Sequence, residues 1–126
     1  MVDFEVNGVP HKAAKMAGMT QLFVFKKLSP ILISLMPLLG KKELDVKQDL
    51  PQFLGSFYSM PDEDTRFIVE RCLELCERQT SVGTWARIWN IEAGQTMYDD
   101  IGFVEIGKIT LEVLKSNLGP FFQGLL

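Results

Sequence analysis

The chain contains one pair of cysteines, Cys72 and Cys76, at a spacing that could hold a metal ion. Residues four apart share one face of an α-helix, so both thiolates could bind the same ion. A structural zinc site usually has four ligands, however, and the only histidine is the distant His11. Both cysteines also fall among the apolar positions of a predicted helix, where free cysteine is commonly buried. We therefore interpret them as core residues and predict no metal site.

The other groups that could do chemistry are one histidine and two acidic clusters. His11 has no serine or cysteine beside it to activate, and we expect it to be exposed to solvent. Asp62-Glu63-Asp64 follows a proline, which is typical of the first turn of a helix. Asp99-Asp100 lies in a predicted loop, and neither cluster has the glycine and oxygen spacing of a calcium site. We predict no catalytic residue, no cofactor and no enzyme activity; a small enzyme that uses Asp99-Asp100 or the cysteine pair is the least favoured alternative.

The composition favours a protein that binds another protein. Of the 126 residues, 47% are hydrophobic and 23% are charged, which is typical of one folded domain. The net charge of −3 lacks the basic excess that a general nucleic-acid-binding protein needs. The most apolar run, residues 28–39, contains two prolines and is shorter than the about 20 residues that span a bilayer. We therefore predict neither nucleic acid nor a membrane as a partner.

The first residues of the chain lack the basic segment and long apolar core of a secretion signal. We therefore expect the protein in the cytoplasm, where the thiols of Cys72 and Cys76 would stay reduced.

A β-hairpin is predicted over residues 3–14. Asn7-Gly8 is a strong signal for a type I′ turn, because both residues tolerate positive φ angles. Pro10 removes one backbone donor from the return strand, which suggests the edge of a sheet. An isolated hairpin is only marginally stable, so we expect it to pack against helices.

Apolar residues at helical spacing predict helices at about residues 19–39, 50–58, 62–78 and 102–118. Pro30 should either kink the first helix or divide it in two. Gly119-Pro120 should end the last one, because proline cannot continue a helix. The sequence thus predicts a single domain, residues 1–126, of the mainly α class: a small helical bundle with an N-terminal β-hairpin.

Residues 81–100 break the helical pattern. Trp85 and Trp89 fall on one face if the segment is extended, which weakly indicates a strand, and a loop around Gly94 follows. Tryptophan occurs both in small cores and at interfaces, and we favour a core role for these two.

The last predicted helix is apolar over an unusually wide arc. Five residues fall within about 100° of the helical wheel, Glu105, Lys108, Glu112, Lys115 and Ser116, and the apolar arc is about twice the stripe that a surface helix needs. The helix therefore either contacts several other helices or keeps a face for a partner. The candidate partner-binding residues are Leu111 and Leu118 in this helix, Phe121, Phe122, Leu125 and Leu126 after it, and Ile31, Leu35 and Leu39 in the first helix.

Two stretches give the chain a family likeness: Lys27-Leu28-Ser29-Pro30 in the first helix and the ending Asn117-Leu118-Gly119-Pro120-Phe121-Phe122. Together with the hairpin, the helix that starts with acids and the segment with tryptophans, they cover most of the sequence. In this order of features the chain resembles the small tail assembly chaperones of long-tailed bacteriophages and prophages.

The resemblance implies a mostly helical, non-enzymatic chaperone. Such proteins coat the tape measure protein in the cytoplasm of the bacterial host, and they give way to tail tube protein as the tube polymerises. They act in several copies, so the implied partners are the tape measure protein, the tail tube protein and further copies of the chain in a homo-oligomer. They are absent from the mature virion. A structural tail completion or connector protein that remains in the virion is the alternative hypothesis.

Overall fold

The computed structural model describes residues 2–125, except for the side chain of Leu125. The strands are β1 (Val2–Val6), β2 (Val9–Ala13), β3 (Cys76–Gln79), β4 (Trp85–Arg87), β5 (Trp89–Asn90) and β6 (Gln95–Thr96). The α-helices are α1 (Gly18–Leu28), α2 (Leu32–Leu39), α3 (Val46–Ser56), α4 (Asp62–Leu73) and α5 (Phe103–Leu125).

The fold is mixed α/β, with 54% helix and 17% strand, so the prediction of a mainly α bundle was wrong. Strands β1 to β4 form an antiparallel sheet in that order, and β5 pairs with β6 in a second, two-stranded sheet. The residues predicted as the end of the helix at 62–78 instead form β3, where Arg78 lies opposite His11 of β2. Pairing with a distant strand overrides the local helical pattern here.

The N-terminal hairpin turns at Asn7 and Gly8, whose φ angles of 54° and 76° are those of the expected turn. Its return strand β2 is interior to the sheet rather than at an edge, since β3 covers its other side. The pairing with β3 starts at His11, one residue after Pro10. The missing backbone donor of Pro10 therefore falls outside that ladder, which explains how proline fits this strand.

Pro30 interrupts the first helical segment. A 3₁₀ turn at Ser29–Ile31 separates α1 from α2. Of the two alternatives, a kinked helix and a divided one, the structure has the divided helix. The stretch Gly18–Leu39 is long and apolar enough to cross a membrane when judged by length and composition alone. Its side chains Val24, Leu28 and Leu35 are fully buried in the fold, which is also typical of core helices.

Helix α5 is the centre of the molecule. It contacts α1, α2, α3, α4 and β1. The wide apolar arc of this helix thus meets several neighbours, the first of the two alternatives that its width suggested. The side chains in its middle that are buried against them include Ile109, Leu111, Val113 and Leu114.

Helix α5 continues to Leu125, past the Gly119-Pro120 pair at which its end was expected. A Cβ at Gly119 would lie 2.6 Å from the carbonyl oxygen of Leu39, so glycine here allows α5 to approach the end of α2. Pro120 cannot donate to the carbonyl of Ser116, but both residues are exposed, and water can replace the lost donor. The last turns are also held by the buried ring of Phe122.

Asn117 joins α5 to the segment between the hairpin and α1. Its Oδ1 accepts hydrogen bonds from the backbone N–H of Met16 (2.8 Å) and from Nε2 of Gln21 (3.3 Å). Its Nδ2 donates to the carbonyl of Val113 in the preceding turn of α5 (2.9 Å). One amide side chain thus satisfies the polar groups of two elements.

Replacement of Gly119 by alanine should destabilise the protein, because the new methyl group would overlap the backbone of Leu39. We expect a loss of about 1–3 kcal/mol in the free energy of unfolding, the usual cost of overpacking. The matched control is Gly55→Ala in α3, where a Cβ would meet no atom within 4 Å. It should cost nothing, or gain up to about 1 kcal/mol from helix propensity. Urea denaturation measures both, and equal stability of the two variants would contradict the close approach.

Candidate protein-binding surfaces

Six of the nine predicted partner-binding residues are buried within this chain. Phe121 is exposed, whereas Leu126 and the side chain of Leu125 lie outside the described part of the structure. Another protein can reach the six only if the core opens, so binding through them stays a prediction. The six are Ile31, Leu35, Leu39, Leu111, Leu118 and Phe122.

The aromatic residues near the end of α5 fold back on α1. Phe122 stacks on Phe25 with ring centroids 6.3 Å apart, and Phe121 meets Phe25 edge-on at 5.8 Å. Phe122 is 1% exposed and Phe121 is 56% exposed. The two neighbouring rings therefore differ in role: Phe122 is part of the core, and Phe121 lies at its rim.

A first exposed apolar surface lies on α1. Met19, Leu22 and Phe23 are 61%, 56% and 47% exposed, and their spacing places them on one side of the helix. A shallow groove of about 280 Å³ runs between Leu22 of α1 and Phe121 of α5. We call Met19, Leu22, Phe23 and Phe121 the α1 face.

A second apolar surface lies where α3, α4 and the start of α5 meet. A groove of about 190 Å³ there is lined almost entirely by apolar atoms. At its rim, Phe103 of α5 is 76% exposed. We call it the α4–α5 groove, and its lining includes Phe57, Thr65, Val69, Phe103 and Ile106.

Gly107 determines how closely α3 approaches α5 at this groove. A Cβ at Gly107 would lie 2.6 Å from Cδ2 of Leu54, so a larger residue here would require the Leu54 side chain to shift. A second depression of about 420 Å³ shares Thr65, Val69 and Ile106 with the groove, so the two are neighbours.

His11 is buried, which corrects the expectation that it is exposed to solvent. It stacks on Phe4, and its Nδ1–H donates to the carbonyl of Val9 at 2.8 Å. Burial lowers the pKa of His11 below its usual value. The error follows from the placement of β2 at a sheet edge. The alternation of His11 with the buried Ala13 was the signal for an inward-facing side chain.

Both cysteines are buried, but they do not share a helix face, because Cys72 lies in α4 and Cys76 begins β3. The thiol of Cys76 donates to the carbonyl of Cys72. Burial raises the pKa of Cys76 to about 12 and that of Cys72 well above its usual value. Thiols held in the protonated form are poor metal ligands and poor nucleophiles.

The acidic clusters take part in structural contacts. Asp62-Glu63-Asp64 forms the first turn of α4, and Asp64 pairs with Lys27 of α1 at 3.0 Å. Asp100 pairs with Arg78 of β3 at 2.8 Å, and this hydrogen bond lowers the pKa of Asp100. Within residues 2–125, no group of three or more histidine, cysteine or acidic side chains could hold a metal ion.

One buried acid was missed from the sequence. Asp49 in α3 accepts hydrogen bonds from Lys41 (2.8 Å) and from the backbone N–H of Asp45 (2.8 Å). The Lys41 hydrogen bond lowers the pKa of Asp49. Asp49 lies before the predicted helix at 50–58, whereas α3 already begins at Val46. This pair anchors the start of α3 and does not form part of an apolar surface.

Residues 7–126 match the family described as phage tail assembly chaperone protein, TAC. The chain belongs to this family. The resemblance found in the sequence is thereby confirmed. No curated protein and no solved structure matches the chain. Membership implies that this chaperone has protein partners in tail assembly and acts in the host during assembly. The role that it suggests is non-enzymatic.

The exposed apolar residues suit such a chaperone. Large apolar side chains that stay on the surface of a folded domain commonly mark sites of protein interaction. In this chaperone such side chains are spread over several elements, and those that line apolar grooves include Phe103 and Phe121, at the two ends of α5, whose middle is buried. The α1 face and the α4–α5 groove are therefore the candidate binding surfaces.

Alanine substitutions should separate the roles of the two C-terminal rings. Phe122→Ala removes a buried ring and should cost about 3–5 kcal/mol in the free energy of unfolding. Phe121→Ala loses only exposed edge contacts and should cost about 1 kcal/mol or less. Urea denaturation followed by circular dichroism measures both values. Equal losses, or an unchanged Phe122→Ala variant, would contradict the assignment of Phe122 to the core.

Proposed function

We propose that the chain is a non-enzymatic assembly chaperone that binds the tape measure protein and helps to recruit tail tube subunits. It acts in the cytoplasm of the bacterial host and is absent from the mature virion. The observation that supports this proposal best is the α4–α5 groove: an open, apolar depression between helices in a protein of this family.

The groove suits a helix with an apolar side. Amphipathic helices bind in hydrophobic grooves through side chains spaced three or four residues apart. The floor of the groove contains Val69 and Ile106, and the exposed ring of Phe103 can close over an inserted side chain. The lining offers almost no polar atoms, so it favours apolar side chains without demanding one sequence. A chaperone that binds many segments of one long partner needs to accept different apolar side chains in this way.

The small size of the groove favours weak binding by each copy. A stable interface has about 20–30 residues on each side, whereas nine residues line this groove. Several copies on one long partner would gain affinity together through multivalency. Each copy would still dissociate readily when a tube subunit competes for the same segment. We therefore propose that the chain acts in multiple copies, with a homo-oligomer as one way to assemble them.

Co-expression with the tape measure protein of the same phage tests the proposal. The tape measure protein should copurify with the chain and become more soluble, and Phe103→Ser should reduce the amount recovered by about tenfold, the effect of losing one interface anchor. Because Phe103 is mostly exposed, this variant should keep the stability of the wild type.

The control for Phe103→Ser is Val82→Ser, which removes another exposed apolar side chain, in the turn between β3 and β4. It should leave recovery unchanged. The proposal fails if the tape measure protein does not copurify. The groove assignment fails if the two variants behave alike.

A further inference from the structure

The α1 face is positively charged as well as apolar. Residues 6–42 contain six lysines and neither aspartate nor glutamate, although the chain as a whole has a net charge of −3. The end of α5, which forms the other wall of the groove, has one lysine and no acidic residue in residues 113–126. Both walls of the groove between α1 and α5 thus lack negative side chains.

Three of these lysines are exposed without a salt bridge among the described residues: Lys15 and Lys26, which lie beside or in α1, and Lys42, which follows α2. Lys12, Lys27 and Lys41 each form a salt bridge within the chain, with Glu77, Asp64 and Asp49. Lys15 precedes the apolar stripe of Met19, Leu22 and Phe23, and Lys26 follows it. Lys26 lines a depression with Phe23 and Asp64, whose carboxylate is already paired with Lys27, and Lys15 lies three residues before the start of α1.

We propose that the α1 face binds an acidic amphipathic helix of a partner protein, at a site separate from the α4–α5 groove. The 11 residues of α1 span about 16 Å, which matches two to three turns of a partner helix. Apolar side chains of that helix would enter the groove between Leu22 and Phe121. Its acidic residues would pair with Lys15 and Lys26. Complementary charge of this kind fixes the orientation of the partner and speeds association.

The shape of the α1 face favours a helix over an anionic membrane. The side chains Leu22 and Phe121 form opposite walls of a groove, whereas a bilayer surface fits a continuous convex stripe. Helix α1 is also anchored in the core by Val24 and Leu28. A helix can enter the groove without displacing α1, but a bilayer would contact only its rim.

Labelled peptides of about 20 residues, tiled across the tape measure and tail tube proteins of the same phage, test this proposal. Fluorescence anisotropy would measure their binding to the full chain. Amphipathic acidic peptides should bind the α1 face, whereas any peptide without acidic residues that binds should depend on the α4–α5 groove instead. Leu22→Ser and the double variant Lys15→Glu/Lys26→Glu should each raise the Kd by about tenfold or more. The affinity of the wild type for acidic peptides should fall between about 0.05 M and about 0.5 M NaCl, and the affinity of the double variant should change much less.

Two controls match these variants in chemistry. Lys47→Glu reverses an exposed charge on α3, and Val82→Ser removes an exposed apolar side chain between β3 and β4; both should leave the Kd of acidic peptides within about twofold. The proposal is overturned if no acidic peptide binds, or if the double variant binds like the wild type. It is also overturned if the Leu22 and lysine substitutions change only the binding of the chain to phosphatidylglycerol vesicles, or only its self-association as measured by sedimentation.

This inference and the proposed function can fail separately. If the tape measure protein copurifies equally with the wild type and with Lys15→Glu/Lys26→Glu, and no acidic peptide binds, the α1 proposal fails and the chaperone function stands. If acidic peptides bind the α1 face while the tape measure protein does not copurify, the α1 proposal stands and the proposed function fails.

Discussion

The burial of one helix, α5, against the four other helices and strand β1 is the constraint on which the rest of this fold depends. At Gly107 and Gly119 its neighbours approach so closely that a methyl group would collide with Leu54 or with the backbone of Leu39. Because each element covers a different side of α5, its wide apolar arc stabilises the fold as a whole. The width of the apolar arc therefore indicates that α5 is a central helix. Only the ends of the helix offer apolar side chains for a binding surface.

The ends of α5 differ from its middle in what surrounds them. Phe103 at the start and Phe121 near the end are exposed, and they lie about 27 Å apart along the helix at 1.5 Å per residue. Each borders a separate groove. Two grooves this far apart can hold two segments at once. Under the proposed function, in which the chain keeps a long protein soluble and then passes it to tube subunits, two independent surfaces would each have a use.

Local signals in the sequence predicted the features that depend on neighbouring residues. Asn7-Gly8 indicated the hairpin turn, and Pro30 indicated the break between α1 and α2. The four-stranded sheet was missed because β3 pairs with β2 across more than sixty residues of sequence, as at His11 and Arg78. No local pattern around Cys76 distinguishes a strand from the end of a helix. The buried position of His11 follows from the same pairing.

The candidate surfaces were harder to predict than the fold. An apolar residue in a helix has the same sequence signal whether it faces the core or a partner, and Leu111 and Leu118 prove to be buried. The exposed Met19, Leu22 and Phe23 became recognisable only when the packing of α1 against α4 and α5 was known. The family itself was recognisable, because its likeness rests on the order of features along the chain.

Hydrogen–deuterium exchange of the chain alone and bound to the tape measure protein tests the central claim, that the middle of α5 holds the fold and the apolar surfaces at its ends bind partners. The account predicts slower exchange on binding in α1, α4 and the first turns of α5. Exchange around Leu111 and in α2 should stay as slow as in the free chain, because the core remains closed. Faster exchange in α2 and the middle of α5 would contradict it, since the buried leucines would then be the ones that open to the partner.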